Sequence, residues 1–483
     1  MGAVRFILDG AVKEIEHVDP TQTVLEYLRG VERRRGTKEG CAEGDCGACT
    51  VVLGELHDGR VRFRAVNACL LFVPALDGKA LFTVESLRER DGELHPIQRA
   101  MVECHGSQCG FCTPGFAMSM LALFESEPEP SRQRIDEALA GNLCRCTGYR
   151  PIVAAVHRAY ALRRERDGAA REELAARLGA LARAETLEVE HGERRFFAPR
   201  SLDAATRLLE RHPRAHLLAG GTDLGVTVTK GHRGLETVLY LGEVPELTRI
   251  ARGATHLEIG AAASYTDVLD AVGDHHPDLG ALIRRIGSQQ IRNLGTLGGN
   301  LATASPIGDT LPALIALGAS VVLARSGGRR ELPVEEFVTG YRRTALVPGE
   351  LLERIRLPLP VSGRAFRAYK VSKRFDQDIS AVCGAFSVEL DGDCVSEVRL
   401  CYGGMAPTPR RARASEAALL GRPFTEASVR AAVAALETDF APISDLRASA
   451  TYRRLVAGNL LRKFHVEVAG LPGATRLLER EGA

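Results

Sequence analysis

The distribution of cysteines is the strongest constraint on how this chain folds. Nine of its twelve cysteines lie before residue 150, and the rest of the 483-residue sequence holds three. Residues 1–6 lead directly into an alternating, strand-like pattern with no apolar signal segment, so we expect a cytoplasmic protein. Because a reducing compartment disfavours disulfides, the N-terminal crowding of cysteines predicts metal or redox ligation.

The overall composition is that of a globular protein with several domains. Hydrophobic residues make up 45% of the sequence and charged residues 26%, and the formal net charge of +2 lacks the bias of a nucleic-acid binder. The longest apolar stretch, residues 311–324, is interrupted by Pro312 and Gly318 and falls short of the roughly 20 residues that span a bilayer. At roughly 100–200 residues per domain, the length predicts three or four domains. We expect neither nucleic acid nor membrane as a partner.

A first set of cysteines has the spacing of a plant-type ferredoxin. Cys41, Cys46 and Cys49 form a C-x4-C-x2-C loop rich in glycine, and Cys69 follows. A zinc site of four cysteines usually shows two C-x2-C pairs instead. A strand at 4–8, a short helix at 23–29 and a hairpin of strands 50–56 and 61–66 complete the predicted β-grasp outline, so the spacing predicts a [2Fe–2S] cluster.

A second set of cysteines lies in two predicted helical hairpins. It comprises Cys109 and Cys112 in S-Q-C-G-F-C-T-P-G and Cys144 and Cys146 in G-N-L-C-R-C-T-G-Y-R-P. Cys104 also fits a C-x4-C-x2-C spacing with Cys109 and Cys112, so five cysteines compete for four positions and spacing does not choose among them. The predicted helices run over residues 96–104, 114–124, 135–140 and 151–162.

Two glycine-rich segments follow in the second half of the chain. One reads L-L-A-G-G-T-D-L-G at 217–225 and the other I-R-N-L-G-T-L-G-G-N-L-A-T-A-S-P-I-G-D at 291–309; neither has the G-x-G-x-x-G pattern. A tight turn explains the first as well as a phosphate does. As a pair, the backbone amides of residues 219–222 and 298–303 are predicted to bind a pyrophosphate.

These motifs, in this order, resemble those of the xanthine oxidase family of molybdenum hydroxylases over nearly the entire chain. The resemblance implies one [2Fe–2S] cluster on Cys41, Cys46, Cys49 and Cys69, and a second on Cys109, Cys112, Cys144 and Cys146. It leaves Cys104 as a buried bystander and implies that Gln108 approaches a molybdopterin on a partner subunit.

The resemblance also implies an FAD site. Backbone groups of residues 217–224 and side chains further along the chain would hold the flavin, and Asp309 suits sugar hydroxyls as an acceptor. Animal members carry a phenylalanine where this chain has Ile286, and residues 369–380 resemble the segment where NAD docks. The implied flavin-binding residues are Leu217, Leu218, Ala219, Gly220, Gly221, Thr222, Asp223, Leu224, Thr296, Gly299, Asn300, Thr303, Asp309, Leu352 and Lys370.

The resulting fold class is a multidomain α+β protein. We expect a β-grasp ferredoxin domain, a four-helix [2Fe–2S] domain, a solvated linker, a two-part α/β FAD-binding domain and a C-terminal α+β flavoprotein domain. Their expected bounds are, in that order, residues 1–80, 81–163, 164–192, 193–362 and 363–475.

By the same resemblance, electrons leave a molybdenum centre, pass through the helical and then the ferredoxin-type cluster to FAD, and leave as hydride to NAD. No segment matches a molybdopterin domain, so we expect hydroxylation on a large partner subunit, an α2β2 heterotetramer and no catalytic residue on this chain. Fusion of cluster and flavin domains favours a member that oxidises xanthine. The alternatives are a hydroxylase of aldehydes, N-heterocycles or carbon monoxide, a stand-alone NADH-dependent reductase, and a zinc-stabilised scaffold.

Overall fold

The computed structural model describes residues 2–87, 92–163, 168–471 and 475, which divide into two compact units. Unit 1 comprises residues 1–248, 264–266 and 287–296, and unit 2 comprises residues 249–263, 267–286 and 297–483. The region expected to bind flavin therefore contributes to both units. Within the described ranges, no helix combines the length and apolar character needed to cross a membrane.

Unit 1 begins with a five-stranded sheet in the order β2-β1-β5-β3-β4. Strands β3 and β4 form the predicted hairpin, with Thr50 opposite Asn67 and His57 opposite Arg60. The two turn residues, Asp58 and Gly59, both have positive φ (49° and 75°), as a two-residue type I′ hairpin turn requires. The strands are β1 Val4–Leu8, β2 Ala11–Ile15, β3 Thr50–His57, β4 Arg60–Asn67 and β5 Ala80–Phe82.

The helix predicted at residues 23–29 is shorter and changes type. Thr23 and Glu26 form a capping box that begins α1, Val24–Glu26. A π-helical turn, Tyr27–Val31, follows without a break, and short 3₁₀ turns lie at Val73–Leu76 and Val84–Leu87.

Four helices form a second core in unit 1, as predicted from the second cysteine set. Helices α3 and α5 have a proline in their first turn, and Ser131 caps α4. Their apolar faces bury Phe116, Phe124 and Ile152. The helices are α2 Pro96–Glu103, α3 Thr113–Ser126, α4 Arg132–Leu139 and α5 Arg150–Ala161.

The segment expected to be a solvated linker is structured. Residues 164–167 lie outside the described residues, and α6, Gly168–Leu181, follows. Leu178 and Leu181 are buried against Ile7 and Ala80 of the first sheet, so this face of the helix is packed and the solvated interpretation is wrong there. The prediction missed this face because it consists of few leucines in an Ala/Arg/Glu-rich sequence, which gives only a weak amphipathic pattern.

A four-stranded sheet in the order β6-β7-β9-β8 completes most of unit 1. Strand β7 pairs antiparallel with β6 and parallel with β9, and β8 pairs parallel with β9. The elements are β6 Leu187–His191, β7 Arg194–Ala198, α7 Leu202–Arg211, β8 His216–Leu218, α8 Leu224–Thr229, β9 Thr237–Tyr240 and α9 Pro245–Thr248.

The chain between residues 250 and 303 alternates between the units. Helix α12 belongs to unit 1, where it packs against β4 and α4. Residues 298–303, expected as a loop, lie in helix α13 of unit 2. The elements are β10 Ile250–Arg252, β11 His256–Gly260, α10 Tyr265–Val272, α11 Pro277–Arg284, α12 Gln289–Leu294 and α13 Leu297–Thr303.

Unit 2 contains two larger sheets, ordered β10-β11-β16-β12-β13 and β17-β18-β19-β20. The second sheet packs on α16–α18 around a core that includes Phe386, Tyr402 and Phe464, in agreement with the predicted C-terminal α+β region. The remaining elements are α14 Thr310–Ala316, β12 Ser320–Arg325, β13 Gly328–Pro333, α15 Val334–Phe337, β14 Val338–Gly340, β15 Arg343–Thr344, β16 Leu351–Pro358, β17 Arg364–Val371, β18 Val382–Asp391, β19 Cys394–Gly403, β20 Arg410–Arg411, α16 Arg413–Leu419, α17 Glu426–Asp439 and α18 Ala450–Val468.

Candidate cluster and flavin sites

The first cysteine loop directs backbone amides at sulfur. The amides of Glu43, Asp45 and Cys46 donate to Cys41 Sγ at 3.4, 3.3 and 3.3 Å, and the Cys41 amide donates to Cys46 Sγ at 3.3 Å. A side chain on Gly40 would begin 2.7 Å from Cys46 Sγ, so this glycine makes room for the thiol. Such N–H donors stabilise thiolate, the form that binds iron.

The four cysteines of the first set approach one another as two pairs. A hydrogen bond from the Cys46 thiol, reinforced by the backbone amides, lowers the pKa of Cys41 to about 5, and the pKa of Cys46 is raised correspondingly. In the same way Cys69 lowers the pKa of Cys49 and has its own pKa raised. Cys49 and Cys69 are buried. In the described part of the chain no three His, Cys, Asp or Glu side chains converge as a site for a single ion, whereas four cysteine thiolates are the ligand set of a two-iron cluster.

The second set also forms two pairs, but at the surface. Cys109 hydrogen-bonds to Cys146, and Cys112 to Cys144. Burial and the Cys144 thiol raise the pKa of Cys112 to about 12. Cys109 and Cys146 are exposed, whereas Cys112 and Cys144 are partly buried against the helical core.

Two motif residues hold the loop around Cys144. Its backbone amide donates to the Tyr149 hydroxyl at 3.0 Å, and its Sγ lies 3.2 Å from Thr147 Oγ1. Tyr149 has a φ of 68°, a backbone conformation uncommon for a residue with a Cβ. Sequence reasoning treated T-G-Y-R-P as a turn before a helix and missed both contacts, although a hydroxyl three residues after a candidate ligand is a usable signal.

Cys104, the fifth cysteine near the second set, follows the last residue of α2. It is partly buried against the helical core, and its amide donates to the Ala100 carbonyl as a helix C-cap. Gln108, expected to face a partner, is exposed beside Cys109.

The first candidate flavin segment is a turn between β8 and α8 in unit 1. Leu217 and Leu218 end the strand, residues 219–222 turn, and Asp223 and Leu224 begin the helix. A side chain on Gly220 would begin 1.7 Å from the Leu294 carbonyl oxygen, so close backbone packing also requires this glycine. Thr296 is buried in the same unit.

Within unit 1, the first cysteine set contacts both of the other candidate sites. The amide of Leu143, next to Cys144, donates to the Cys46 carbonyl at 3.0 Å. On the flavin side, Thr229 Oγ1 donates to the Ala42 carbonyl at 2.7 Å, and a side chain on Gly225 would begin 2.9 Å from the Leu70 carbonyl oxygen. The loop with Cys41 and Cys46 therefore lies between the second cysteine set and the α8 segment.

The second candidate flavin segment lies in unit 2. A side chain on Gly298 would begin 2.5 Å from the backbone of Ala261, whereas Gly299 and Asn300 are partly exposed. Thr303 Oγ1 donates to the Gly299 carbonyl at 2.9 Å, and Asn300 Oδ1 accepts from Thr310 at 2.7 Å. Leu352 is buried in β16.

Asp309 already has two protein partners. Its carboxylate accepts from Lys370 Nζ at 2.5 Å and from Ser380 Oγ at 2.6 Å, and the side chains of Asp309 and Lys370 are both buried. Each carboxylate oxygen keeps a lone pair for a further donor. Cys383, whose pKa is raised by burial, donates to the Asp309 carbonyl at 3.5 Å. Ser380 and Cys383 were not predicted, since nothing local marks them as partners of Asp309.

The segment at 369–380 extends from β17 into an exposed loop of unit 2. Arg285 donates to the Lys370 carbonyl at 2.8 Å and lies 4.5 Å from the centre of the Phe375 ring. Ile286, where animal relatives carry phenylalanine, is partly buried next to α11. The loop is thus attached to the end of α11 through one arginine.

Comparison with known families divides the chain into four matched regions. Residues 6–74 match a 2Fe-2S iron–sulfur cluster binding domain and residues 83–157 a [2Fe-2S] binding domain. Residues 189–360 match the FAD binding domain in molybdopterin dehydrogenase, and residues 367–468 match the CO dehydrogenase flavoprotein C-terminal domain. The chain thus contains the iron–sulfur and FAD domains of a molybdenum hydroxylase.

Two similar curated proteins are xanthine dehydrogenase of Emericella nidulans, 35% identical, and xanthine dehydrogenase/oxidase of Gallus gallus, 31% identical. Each match covers 96% of this chain, but 38% and 40% of the two relatives. The chain therefore spans about two fifths of the length of these relatives.

Solved structures match a little over half of the chain. Carbon monoxide dehydrogenase from Hydrogenophaga pseudoflava is 32% identical with a TM-score of 0.53, and the match covers 56% of this chain and 94% of that one. Quinoline 2-oxidoreductase from Pseudomonas putida 86 is 26% identical with a TM-score of 0.52, covering 56% and 95%.

Proposed function

Because this chain belongs to the molybdenum hydroxylase family that includes xanthine dehydrogenase, we propose that it is the cytoplasmic electron-transfer subunit of a xanthine dehydrogenase. In the proposed reaction, hypoxanthine and xanthine are oxidised to urate on a molybdopterin-binding large subunit, and NAD accepts the electron pair. The proposed assembly is an α2β2 heterotetramer.

The two cysteine sets are the proposed cluster ligands, Cys41, Cys46, Cys49 and Cys69 for one [2Fe–2S] centre and Cys109, Cys112, Cys144 and Cys146 for the other. When bound, the clusters would carry single electrons and the flavin would convert two of them into a hydride for NAD. The chain supplies amide donors to the Cys41 sulfur and a hydroxyl next to the Cys144 sulfur. Hydrogen bonds of this kind stabilise the extra negative charge of a reduced cluster.

One observation carries the proposed order of electron transfer. The loop with Cys41 and Cys46 is bonded on one side to Leu143, beside Cys144, and on the other side to Thr229 in the helix after the flavin turn. This arrangement supports an electron path from the cluster on the second cysteine set, through the cluster on the first set, to FAD. The proposed flavin contacts are residues 217–224, Thr296, Gly299, Asn300, Thr303, Asp309, Leu352 and Lys370.

The exposed surface around the second cysteine set supports a partner subunit there. Phe111, Leu143 and Tyr149 are apolar or aromatic yet 49%, 41% and 41% exposed, and Gln108 and Cys109 lie among them. Exposed aromatic and apolar groups next to an exposed metal ligand are typical of a surface that another subunit covers.

The proposal is tested by comparing the reconstituted chain alone with the complex formed on co-expression with a molybdopterin-binding subunit. We expect the chain alone to pass electrons from NADH to an artificial acceptor, because that route needs flavin alone, and to leave xanthine unchanged. The complex is expected to reduce NAD with xanthine. Xanthine oxidation by the chain alone would refute the need for a partner.

A second candidate is the electron-transfer part of another molybdenum hydroxylase. Its support is the 32% identity to the carbon monoxide dehydrogenase chain, which is as high as the identity to the avian xanthine dehydrogenase/oxidase. A complex that rejects xanthine and accepts an aldehyde, an N-heterocycle or carbon monoxide would establish this candidate instead.

A further inference from the structure

A buried cluster of polar side chains lies between the two cysteine loops of unit 1. This polar junction consists of Thr50, Ser119, Asn142 and Gln290, which are between 0% and 2% exposed. The four residues come from β3, α3, the loop before Cys144 and α12, so the junction joins segments far apart in the sequence. Neither the cluster ligands nor the flavin segments account for it.

Asn142 is the centre of the junction and uses its full hydrogen-bonding capacity. Its Nδ2 donates to the Gly47 carbonyl at 3.0 Å and to Thr50 Oγ1 at 3.1 Å. Its Oδ1 accepts from Ser119 Oγ at 2.6 Å and from Gln290 Nε2 at 3.1 Å. Gly47 lies between Cys46 and Cys49, and Asn142 precedes Cys144 by two residues. One side chain therefore ties the two candidate cluster loops together.

Gln290 faces the junction in a single orientation. Its Nε2 lies 3.0 Å from Ser119 Oγ and 3.3 Å from Thr50 Oγ1. The Ser119 hydroxyl already donates its proton to Asn142 Oδ1, and the Thr50 hydroxyl donates its proton to the Gly47 carbonyl. The oxygens that face Gln290 can therefore only accept hydrogen bonds, and the NH2 group of Gln290, not its carbonyl oxygen, points at them. Its Oε1 is left buried without a hydrogen-bond partner among the described residues, a costly arrangement unless the donors are needed.

Three motif glycines bring the backbones close around this junction. A side chain on Gly47 would begin 2.1 Å from the Gly141 carbonyl oxygen, and one on Gly115 would begin 2.3 Å from the Gly47 carbonyl oxygen. One on Gly141 would begin 2.0 Å from Gln290 Oε1. The contacts of Gly47 and Gly115 are with backbone oxygens and exclude a Cβ, so the two loops meet backbone to backbone at the junction.

We propose that Asn142, held by Ser119 and Gln290, is a positioning residue that sets the distance between the two clusters and thereby the rate of electron transfer between them. This inference rests on the proposed function. It goes beyond the ligand sets, because it assigns a role in electron transfer to residues that bind no cofactor. Asn142 acts through the loops of Cys46 and Cys144.

The test uses the holo-complex with the substitution Asn142→Asp. This change keeps the size of the side chain but replaces the donor to Gly47 and Thr50 by a carboxylate oxygen, which repels the Gly47 carbonyl. We expect unchanged iron and flavin contents, an altered magnetic interaction between the two reduced clusters in low-temperature EPR, and a loss of turnover. Ser131→Ala is the matched control, since Ser131 caps α4 by accepting from the Arg134 amide at 3.2 Å and does not contact the junction.

A wild-type EPR interaction and wild-type turnover in a variant that is merely less heat-stable would overturn the inference. If Asn142→Asp fails to retain iron, Gln290→Met replaces it, removing the donors at similar volume while Ser119 still bonds to Asn142. The EPR interaction and the turnover of this variant then test the inference: changes in both support it, and wild-type values overturn it. Failure of the proposed function is distinguishable, because wild-type protein would itself lack two interacting iron signals.

Discussion

The backbone amide of Leu143 donates to the carbonyl oxygen of Cys46 at 3.0 Å. Because Leu143 directly precedes Cys144, the backbones of Cys46 in the first set and Cys144 in the second are connected through this one hydrogen bond and the peptide bond between Leu143 and Cys144. The bond involves main-chain atoms alone, so no side chain is part of it. Variants in this region therefore test the cysteines and their hydrogen-bond donors separately from the main-chain link.

We predict that Cys104→Ser preserves both clusters. Cys104 follows α2 as its C-cap, whereas Cys109, Cys112, Cys144 and Cys146 form two thiol pairs without it. The purified variant should contain four irons and show two EPR signals. Cys109→Ser is the control that should lose one signal; loss of a signal in Cys104→Ser would assign Cys104 as a ligand.

Replacing Thr147 by valine should lower the reduction potential of the second cluster alone. The Thr147 hydroxyl lies 3.2 Å from Cys144 Sγ, and its loss removes a donor that stabilises the more negative, reduced state. The expected shift is about 20–60 mV, the equivalent of the roughly 0.5–1.5 kcal/mol of one hydrogen bond. A redox titration followed by EPR measures it, with the first cluster as internal control and Thr147→Ser retaining the wild-type value. Equal shifts in both clusters would contradict a local effect.

The substitution Gly299→Val is expected to release flavin and leave the clusters intact. Gly299 is partly exposed in α13, so a valine there occupies the space that the proposal gives to the cofactor. Flavin content and the visible absorption of the clusters are the measurements. Gly298→Ala is the comparison, because its Cβ would meet Ala261 at 2.5 Å and should reduce stability through packing. Full flavin content in Gly299→Val would mean that this segment is structural.

Glu350 should stabilise unit 2 at neutral pH and lose this effect in acid. Its carboxylate accepts from Arg330 at 2.8 and 2.7 Å and from the Val347 amide at 3.0 Å. The Arg330 hydrogen bonds hold the pKa of Glu350 below its usual value, although partial burial opposes them. The folded pKa is lower than the unfolded value of about 4.3, so the stabilisation is complete above that pH and disappears as the pH falls through the folded pKa.

Glu350→Gln is accordingly expected to cost about 1–2 kcal/mol at pH 7, a range reduced because solvent screens the half-exposed Arg330. The difference from wild type should shrink below about pH 4. Urea unfolding at several pH values checks this, and Glu336→Gln, on an exposed side chain of α15, is the control. A constant difference at every pH would rule out an ionised Glu350 as the cause.

Local signals predicted most of the secondary structure around the cysteines. The Asp58–Gly59 turn and the prolines at 114 and 151 act on their own neighbourhoods, so a hairpin and two helix starts follow from sequence. The cysteine spacing likewise predicted the glycine-rich loop that carries Cys41, Cys46 and Cys49.

Long-range partners could not be predicted in this way. Nothing near Gln290 indicates that it reaches Asn142, and nothing near Asp309 indicates Ser380, because these contacts depend on how distant segments pack. The prediction for residues 168–181 was wrong for a related reason. Few leucines in an Ala/Arg/Glu background give a weak pattern, and the sheet that buries Leu178 and Leu181 is formed by residues far earlier in the chain, including Ile7 and Ala80.

Helix α12 completes unit 1 although the chain has by then entered unit 2. On the ribosome, the N-terminal cysteine regions are synthesised well before residue 290. Thr50, Ser119 and Asn142 therefore lack their hydrogen-bond partner Gln290 while the intervening residues are synthesised. During synthesis the junction therefore stays incomplete until residue 290 has been added, although Asn142 can already bond to Gly47 and Thr50.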